Sequence, residues 1–279
     1  MPGFSGLGYG RKALKAAGPH AQSGLKFKTT GEAMRVLVVE NMPHSKLGQV
    51  GVALGEAGAD IDLRRPYEGA ALPDDAAGFD ALVVFGGEQS AVDDELHPYL
   101  PALARLMRVF TEAGKAVLGI CLGSQLLARG HGGENLLNRT REFGWHTVSL
   151  TDQGRADPVL SAAGEVFPIF QWHSDTFTLP DSAVHLAENP AVAHQAFRVG
   201  RAGYGMQFHF EASTEVVTEW NDIFRHQIVE RDGQWLADYA KHAAADGPAA
   251  DAAGLALARA WVKQIRVEAE DVPRKAIAG

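Results

Sequence analysis

The chain has 279 residues, of which 46% are apolar and 22% charged, with a formal net charge of −8 and a single cysteine. That balance suits one large soluble α/β domain and leaves no intrachain disulfide to staple it. No run approaches the roughly 18 apolar residues that cross a bilayer, and no basic stripe or row of stacking aromatics offers nucleic acid a footprint.

A lone thiol fits a reducing, cytoplasmic setting, and a small-molecule site is the default expectation. Residues 1–33 carry Arg11, Lys12, Lys15, Lys26 and Lys28 against one acid, Glu32, and have no apolar period. They read as a disordered extension, or as the product of an upstream start codon, with the folded part opening at Met34. GLGYG (6–10) has no strand before it and is not taken as a phosphate loop.

From Met34 the pattern alternates between buried strands and helices. MRVLVVE (34–40) reads as a strand, 46–59 as a helix ending in glycine, and ADIDLR (59–64) as a second strand. FDALVVFGG (79–87) is a strand stopped by paired glycines, and 99–114 carries the three-and-four spacing of a helix. KAVLGI (115–120) is a short buried strand, followed at once by a helix over 122–130. Continuous apolar strands separated by helices indicate a parallel sheet covered on both faces, with ligands bound beyond the strands' carboxyl ends.

The second half predicts strands at 144–150, 166–172, 183–188, 194–200 and 203–211, then a helix over 214–230. A Gly-Pro pair at 247–248 predicts a break before a final amphipathic helix over 251–270. The resulting division is an extension (1–33), one domain (34–245) and a helical C-terminal tail (246–279). The fold class is an open, mostly parallel, flavodoxin-like sheet flanked by helices, with added antiparallel strands.

The cysteine stands in GICLGSQ (119–125), between a strand and a helix. In G-x-C-x-G the glycines Gly119 and Gly123 allow a strained turn and close strand–helix packing, the geometry of a nucleophile elbow. Such a turn lifts Cys121 to the top of the sheet and to a helix N-terminus, where the dipole favours an anion. The amide of Leu122 is one candidate oxyanion donor, and the paired glycines Gly86–Gly87 supply the other. A thiolate attacking an amide needs an oriented histidine to protonate the leaving amine. In QFHFE (207–211), residues two apart in an extended strand share a side, so Glu211 can hold Nδ1 of His209.

GGEQS, GICLGSQLLA and GMQFHFE, in that order, resemble the three signature segments of class I glutamine amidotransferases. The likeness runs from about Met34 to Phe224 and includes REFGW (141–145) and FQWHSDTFTLP (170–180). It is strongest to stand-alone members similar to the glutaminase domain of GMP synthase. The resemblance implies a γ-glutamyl thioester on Cys121, His209 as acid and base, and Glu211 as its orienting carboxylate. It also implies Gln125 and the Gly86–Gly87 backbone as substrate contacts, with glutamine or another γ-glutamyl compound as substrate. A separate synthase-type subunit is an implied partner, and no cofactor is implied.

Two positions depart from the family pattern: Phe210 and Glu88 stand where proline is common. His173 and Asp175 in WHSDTF face one way if extended, either as substrate contacts or as a structural pair. With no H-E-x-x-H and no cysteine cluster, no metal site is expected. The acidic DDE at 93–95 reads as a solvated loop. Three rivals remain: a cysteine-using α/β-hydrolase, a cysteine-elbow peptidase or stress protein, and a non-catalytic module. The first places its acid before the histidine in chain order, unlike Glu211 here.

Overall fold

The computed structural model describes residues 34–265. The 1–33 extension, with its GLGYG stretch, and the end of the expected final helix lie outside the described residues.

The parallel half of the sheet forms where the sequence is most continuously apolar. Strands β1 (Arg35–Val39), β2 (Asp60–Arg64), β3 (Ala81–Val84) and β4 (Ala116–Ile120) pair in parallel in the order β2-β1-β3-β4. Alternate side chains enter opposite layers, as the period of two requires. Val36, Val38, Val83 and Leu118 pack with Val50 and Leu54 of helix α1 (Gly48–Glu56). Leu37, Val39, Leu82 and Val117 pack on the other face with Leu103, Met107 and Phe110 of α2 (Leu100–Glu112) and with Leu126 and Leu127 of α3 (Leu122–Gly130). Both faces are therefore covered, which explains why these strands do not alternate with polar residues.

The second half adds a short strand β5 (Asn135–Leu136), the long β6 (Glu142–Leu150), a short helix α4 (Asp152–Ala156), β7 (Val166–His173) and a short β8 (Thr176–Phe177). Then come β9 (Val184–Glu188), β10 (Ala196–Val199) and β11 (Gly203–Met206). β11 lies parallel beside β4, and the sheet continues antiparallel through β10, β9, β6 and β7 to make nine strands. β5 and β8 form a separate two-stranded ribbon.

Three sequence expectations change. The strand expected over 203–211 ends at Met206: Gln207 N–H still donates to Gln195 in the β10 register, but by His209 the chain has turned to β7, where its N–H donates to Phe170. The helix expected over 214–230 is two helices, α5 (Thr214–Ile223) and α6 (Arg225–Arg231), which meet at Phe224. The expected break at Gly247–Pro248 does not occur: α7 runs unbroken from Trp235 to Gln264 and crosses the 245/246 boundary. Tertiary contacts override the proline's local penalty. Leu257 and Trp261 are fully buried against the sheet, and Trp261 Nε1 donates to the Val117 carbonyl at 3.3 Å. Gln49 Nε2 donates to the Asp251 carbonyl at 2.9 Å, and Asp251 Oδ1 accepts the Thr214 N–H at the start of α5 at 2.8 Å. Among the described residues, no helix is long and apolar enough to cross a membrane.

Candidate active site

Cys121 sits between β4 and α3 with φ 51° and ψ −109°, a conformation that non-glycine residues rarely adopt. Its neighbours show why the turn can be that sharp. A Cβ at Gly119 would lie 2.3 Å from the Gly123 carbonyl oxygen, and a Cβ at Gly123 would lie 2.1 Å from that of Val84. The strand and helix touch backbone to backbone there, so only glycine fits. Cys121 N–H donates to Met206 at 2.9 Å, tying the elbow to β11, and the Cys121 carbonyl accepts from Ser124 Oγ at 2.7 Å. The side chain is more enclosed than a surface nucleophile, at 7% exposure, and lines a cavity of about 940 Å³. Its thiol donates weakly to the Trp172 carbonyl at 3.8 Å.

His209 lines the same cavity. Its Nδ1 lies 2.7 Å from Glu211 Oε1, the pairing expected from H-x-E, although the segment is a turn-rich connection rather than a strand. Two anchors replace the missing strand geometry. His209 N–H donates to Phe170 at 2.8 Å, and the Glu211 carbonyl accepts from Gln49 N–H at 3.0 Å. Gly48, at φ +48°, approaches that carbonyl so closely that a Cβ would sit 2.0 Å from it. Trp220 stands edge-on to the imidazole at 5.5 Å.

Burial by itself disfavours the imidazolium of His209. The charges of Glu211 and Cys121, with hydrogen bonds to both, outweigh it and raise the pKa to about 10. Of the two ring nitrogens, Nδ1 is the one engaged by Glu211.

Gly86 and Gly87 close the third side. A Cβ at Gly86 would meet His209 Cε1 at 3.1 Å and Cys121 Cβ at 3.5 Å. The turn is held by two residues that the sequence reading did not single out for this role. Asn41 Nδ2 donates to the Phe85 carbonyl at 2.7 Å, and Gln89 Nε2 donates to the Asn41 carbonyl at 2.9 Å and to the Tyr99 hydroxyl at 2.6 Å. Asn41 lies two residues past the carboxyl end of β1, so the strand-end rule carried a signal for it. Leu122 opens α3, where the first amides have no intrahelical acceptor.

The other candidates divide. Gln125 lines the cavity and is nearly buried; its Nε2 donates to Gln207 Oε1 at 3.2 Å and to the Asp175 carbonyl at 3.4 Å. His173 contacts the cavity wall, but both ring nitrogens are taken, Nδ1 by the Asp175 carbonyl at 2.9 Å and Nε2 by Glu142 Oε2 at 3.0 Å. Asp175 Oδ1 accepts the Asn138 N–H at 2.8 Å, so the expected His173–Asp175 pairing runs through the Asp175 backbone rather than its carboxylate. Burial pushes the Glu142 carboxyl up, and hydrogen bonds from His173, Asn189 and Gln195 outweigh it, leaving the group below its ordinary range. The acidic loop is anchored rather than free: both oxygens of Asp94 accept from Arg129, at 2.7 and 2.6 Å. Among the described residues, no group of three or more His, Cys, Asp or Glu side chains gathers to hold a metal ion.

An elbow cysteine and a carboxylate-held histidine above a mostly parallel sheet define an α/β protein with thiol chemistry in reach. The model of the glutamine amidotransferase class-I family matches residues 47–223, and the chain belongs to that family. The glutamine amidotransferase-like protein YfeJ of Salmonella typhimurium is 36% identical over 186 residues, covering 66% of this chain and 74% of that one. Gamma-glutamyl peptidase 5 of Arabidopsis thaliana is 29% identical over 194 residues, 67% of this chain and 75% of the peptidase. The glutamine-hydrolyzing GMP synthase of Christiangramia forsetii is 32% identical over 144 residues, which span 50% of this chain but 26% of the synthase. A crystal structure of a glutamine amidotransferase from Thermotoga maritima shares the fold with a TM-score of 0.73 at 24% identity, covering 85% of this chain and 100% of that one.

Proposed function

We propose that this protein hydrolyses the side-chain amide of glutamine through a γ-glutamyl thioester on Cys121. The carrying observation is the strained Cys121 elbow sharing one cavity with His209, whose Nδ1 is held by Glu211 at 2.7 Å. The Cys121 sulfur attacks the amide carbon, and the developing oxyanion is received by the amides of Leu122 and Gly87. His209 takes the thiol proton as the sulfur attacks and gives it to the amide nitrogen as the C–N bond breaks and ammonia departs. It then takes one from the water that attacks the thioester and returns it to the sulfur. Glutamate leaves and the thiol is restored. Glu211 fixes the imidazole tautomer and stabilises the imidazolium in each half. Ammonia passes to a separate acceptor or synthase-type subunit; the relationship to GMP synthase supports this reading.

A second reading keeps the chemistry and enlarges the substrate. The cavity, at about 940 Å³, lies at the upper end of the range for drug-sized ligands and exceeds what glutamine fills. The gamma-glutamyl peptidase relative points the same way. Mass spectrometry after reaction with a glutamine-mimicking electrophile tests the chemistry, with label expected on Cys121 alone. Label elsewhere, or full turnover by Cys121→Ala, would remove the thiol from the mechanism. Steady-state rates with glutamine and with bulkier γ-glutamyl amides separate the two substrates. Rapid turnover of glutamine without a partner would argue against a site gated by a synthase.

A further inference from the structure

Resting on that reading, we infer that Arg231, with Arg141 beside it, is the residue that recognises a carboxylate of the γ-glutamyl substrate. Arg231 ends α6, outside the segment matched by the family model, and Arg141 precedes β6. Both line the cavity that holds Cys121 and His209.

Their hydrogen bonds leave their charge uncompensated. Arg231 Nη2 donates to the His173 carbonyl, to the Glu142 carbonyl at 3.2 Å and to Ser174 Oγ at 3.0 Å. Arg141 Nη2 donates to the carbonyls of Glu230 and Arg231 at 2.8 and 2.9 Å. Every one of these acceptors is neutral, and neither guanidinium forms an ion pair among the described residues. Three acids line the same cavity, Glu88, Asp175 and Glu230, and none pairs with either guanidinium: Asp175 accepts the Asn138 amide, and Glu230 lies 3.6 Å from His226. Burial and the charge of Arg141 hold the Arg231 guanidinium below its ordinary range, although the Cys121 charge acts the other way. The Nε of Arg231 is buried without a partner.

A half-buried guanidinium in no ion pair, with a buried Nε left unpartnered, is costly unless an anion arrives with the ligand. Every γ-glutamyl compound supplies one in its α-carboxylate. An amino acid or short peptide as leaving amine supplies another at its far end. Arginine suits either, because its planar fork matches a carboxylate.

The test measures binding, so that it does not depend on turnover. Dissociation constants would be taken by calorimetry on full-length Cys121→Ala, with and without Arg231→Gln. The four ligands are glutamine, glutamine α-amide, γ-glutamylglycine and γ-glutamylglycinamide. Losing a charge-assisted hydrogen bond should weaken affinity roughly 10- to 100-fold. If the α-carboxylate is read, every ligand except the α-amide weakens. If the leaving-group carboxylate is read, γ-glutamylglycine alone weakens. Uniform weakening of all four, no change, or no binding at all would overturn the inference. Arg231→Lys should recover part of the loss, and a melting curve for each variant separates a disturbed fold from a lost contact. Turnover of glutamine and γ-glutamylglycine by the wild-type chain is scored separately. Arginine-dependent binding without any turnover would sink the proposed chemistry and leave the carboxylate site standing.

Discussion

Gly123→Ala adds one methyl group at the tightest contact in the elbow. The new Cβ would lie 2.1 Å from the Val84 carbonyl oxygen, where real contacts begin near 3.0 Å, so the helix start must withdraw by about 0.9 Å. No flexible side chain can absorb this, because the obstructing atom is backbone at the end of β3. Alanine would otherwise be favoured over glycine in a helix by about 1 kcal/mol, and overpacking typically costs about 1–3 kcal/mol, so net destabilisation is expected to be modest. Catalysis should suffer more. Val84 leads into Phe85, Gly86 and Gly87, and Leu122 adjoins Gly123, so a retreating α3 separates the two amides proposed as oxyanion donors. Misplacement by about 1 Å costs on the order of 10²-fold, and loss of one donor about 10²–10³-fold.

The assay pairs thermal melts with kcat/KM on the preferred γ-glutamyl amide. Gly55→Ala in α1 serves as the control, since a Cβ there meets nothing within 4 Å. The control should melt at or above the wild-type temperature with unchanged turnover. Gly123→Ala should lose at least about 10²-fold in kcat/KM while still folding cooperatively. Wild-type turnover by Gly123→Ala would refute the idea that this close approach sets the donors.

Other changes test the rest of the site. His209→Ala should lower turnover by roughly 10²–10⁴-fold, and Glu211→Gln should be milder, because the imidazole stays and loses only its orienting charge; equal losses would reverse the assigned roles. His209 has a folded pKa of about 10 against an ordinary 6.5, so its contribution to stability is complete below about pH 6.5 and disappears as pH rises through about 10. The melting-temperature gap between wild type and His209→Ala should therefore narrow over that window, and a gap that widens would contradict the sign. Gly254→Ala should lower both melting temperature and turnover, since its Cβ would sit 2.3 Å from the Phe210 carbonyl oxygen. If α7 were a detachable tail, neither quantity would move.

The parallel half of the fold was legible because its strands are buried on both faces and its helices end at glycines. The elbow was legible because G-x-C-x-G is local: two glycines, one cysteine and a helix start lie within five residues. His209 and Glu211 were legible for the right contact by an incorrect route. They pair at 2.7 Å, but the strand meant to align them ends at Met206, and long-range bonds to Phe170 and Gln49 do the aligning instead. His173 was ambiguous in the sequence because its partner, Glu142, lies 31 residues away and is brought close only by the pairing of β6 with β7. Arg231 carried no signal at all. A basic residue near the end of a helix ordinarily reads as a solvated cap, and only the fold turns it into the wall of a cavity.

The continuity of α7 bears on the departure at Phe210, where the family commonly has proline between histidine and acid. A proline would restrict the backbone there through its ring. This chain restricts the same backbone by packing. Phe210 is fully buried in the core layer that also holds Leu257 and Trp261 of α7, and its carbonyl lies against Gly254 of the same helix. On one side of Phe210, His209 is fixed by Phe170; on the other, Glu211 is fixed by Gln49, whose own amide is held by Asp251 of α7. The helix read from sequence as an appendage is therefore part of what holds the histidine–carboxylate pair in register. With phenylalanine where the family commonly has proline, the backbone between His209 and Glu211 is thus packed against an uninterrupted α7, and the two side chains still meet at 2.7 Å.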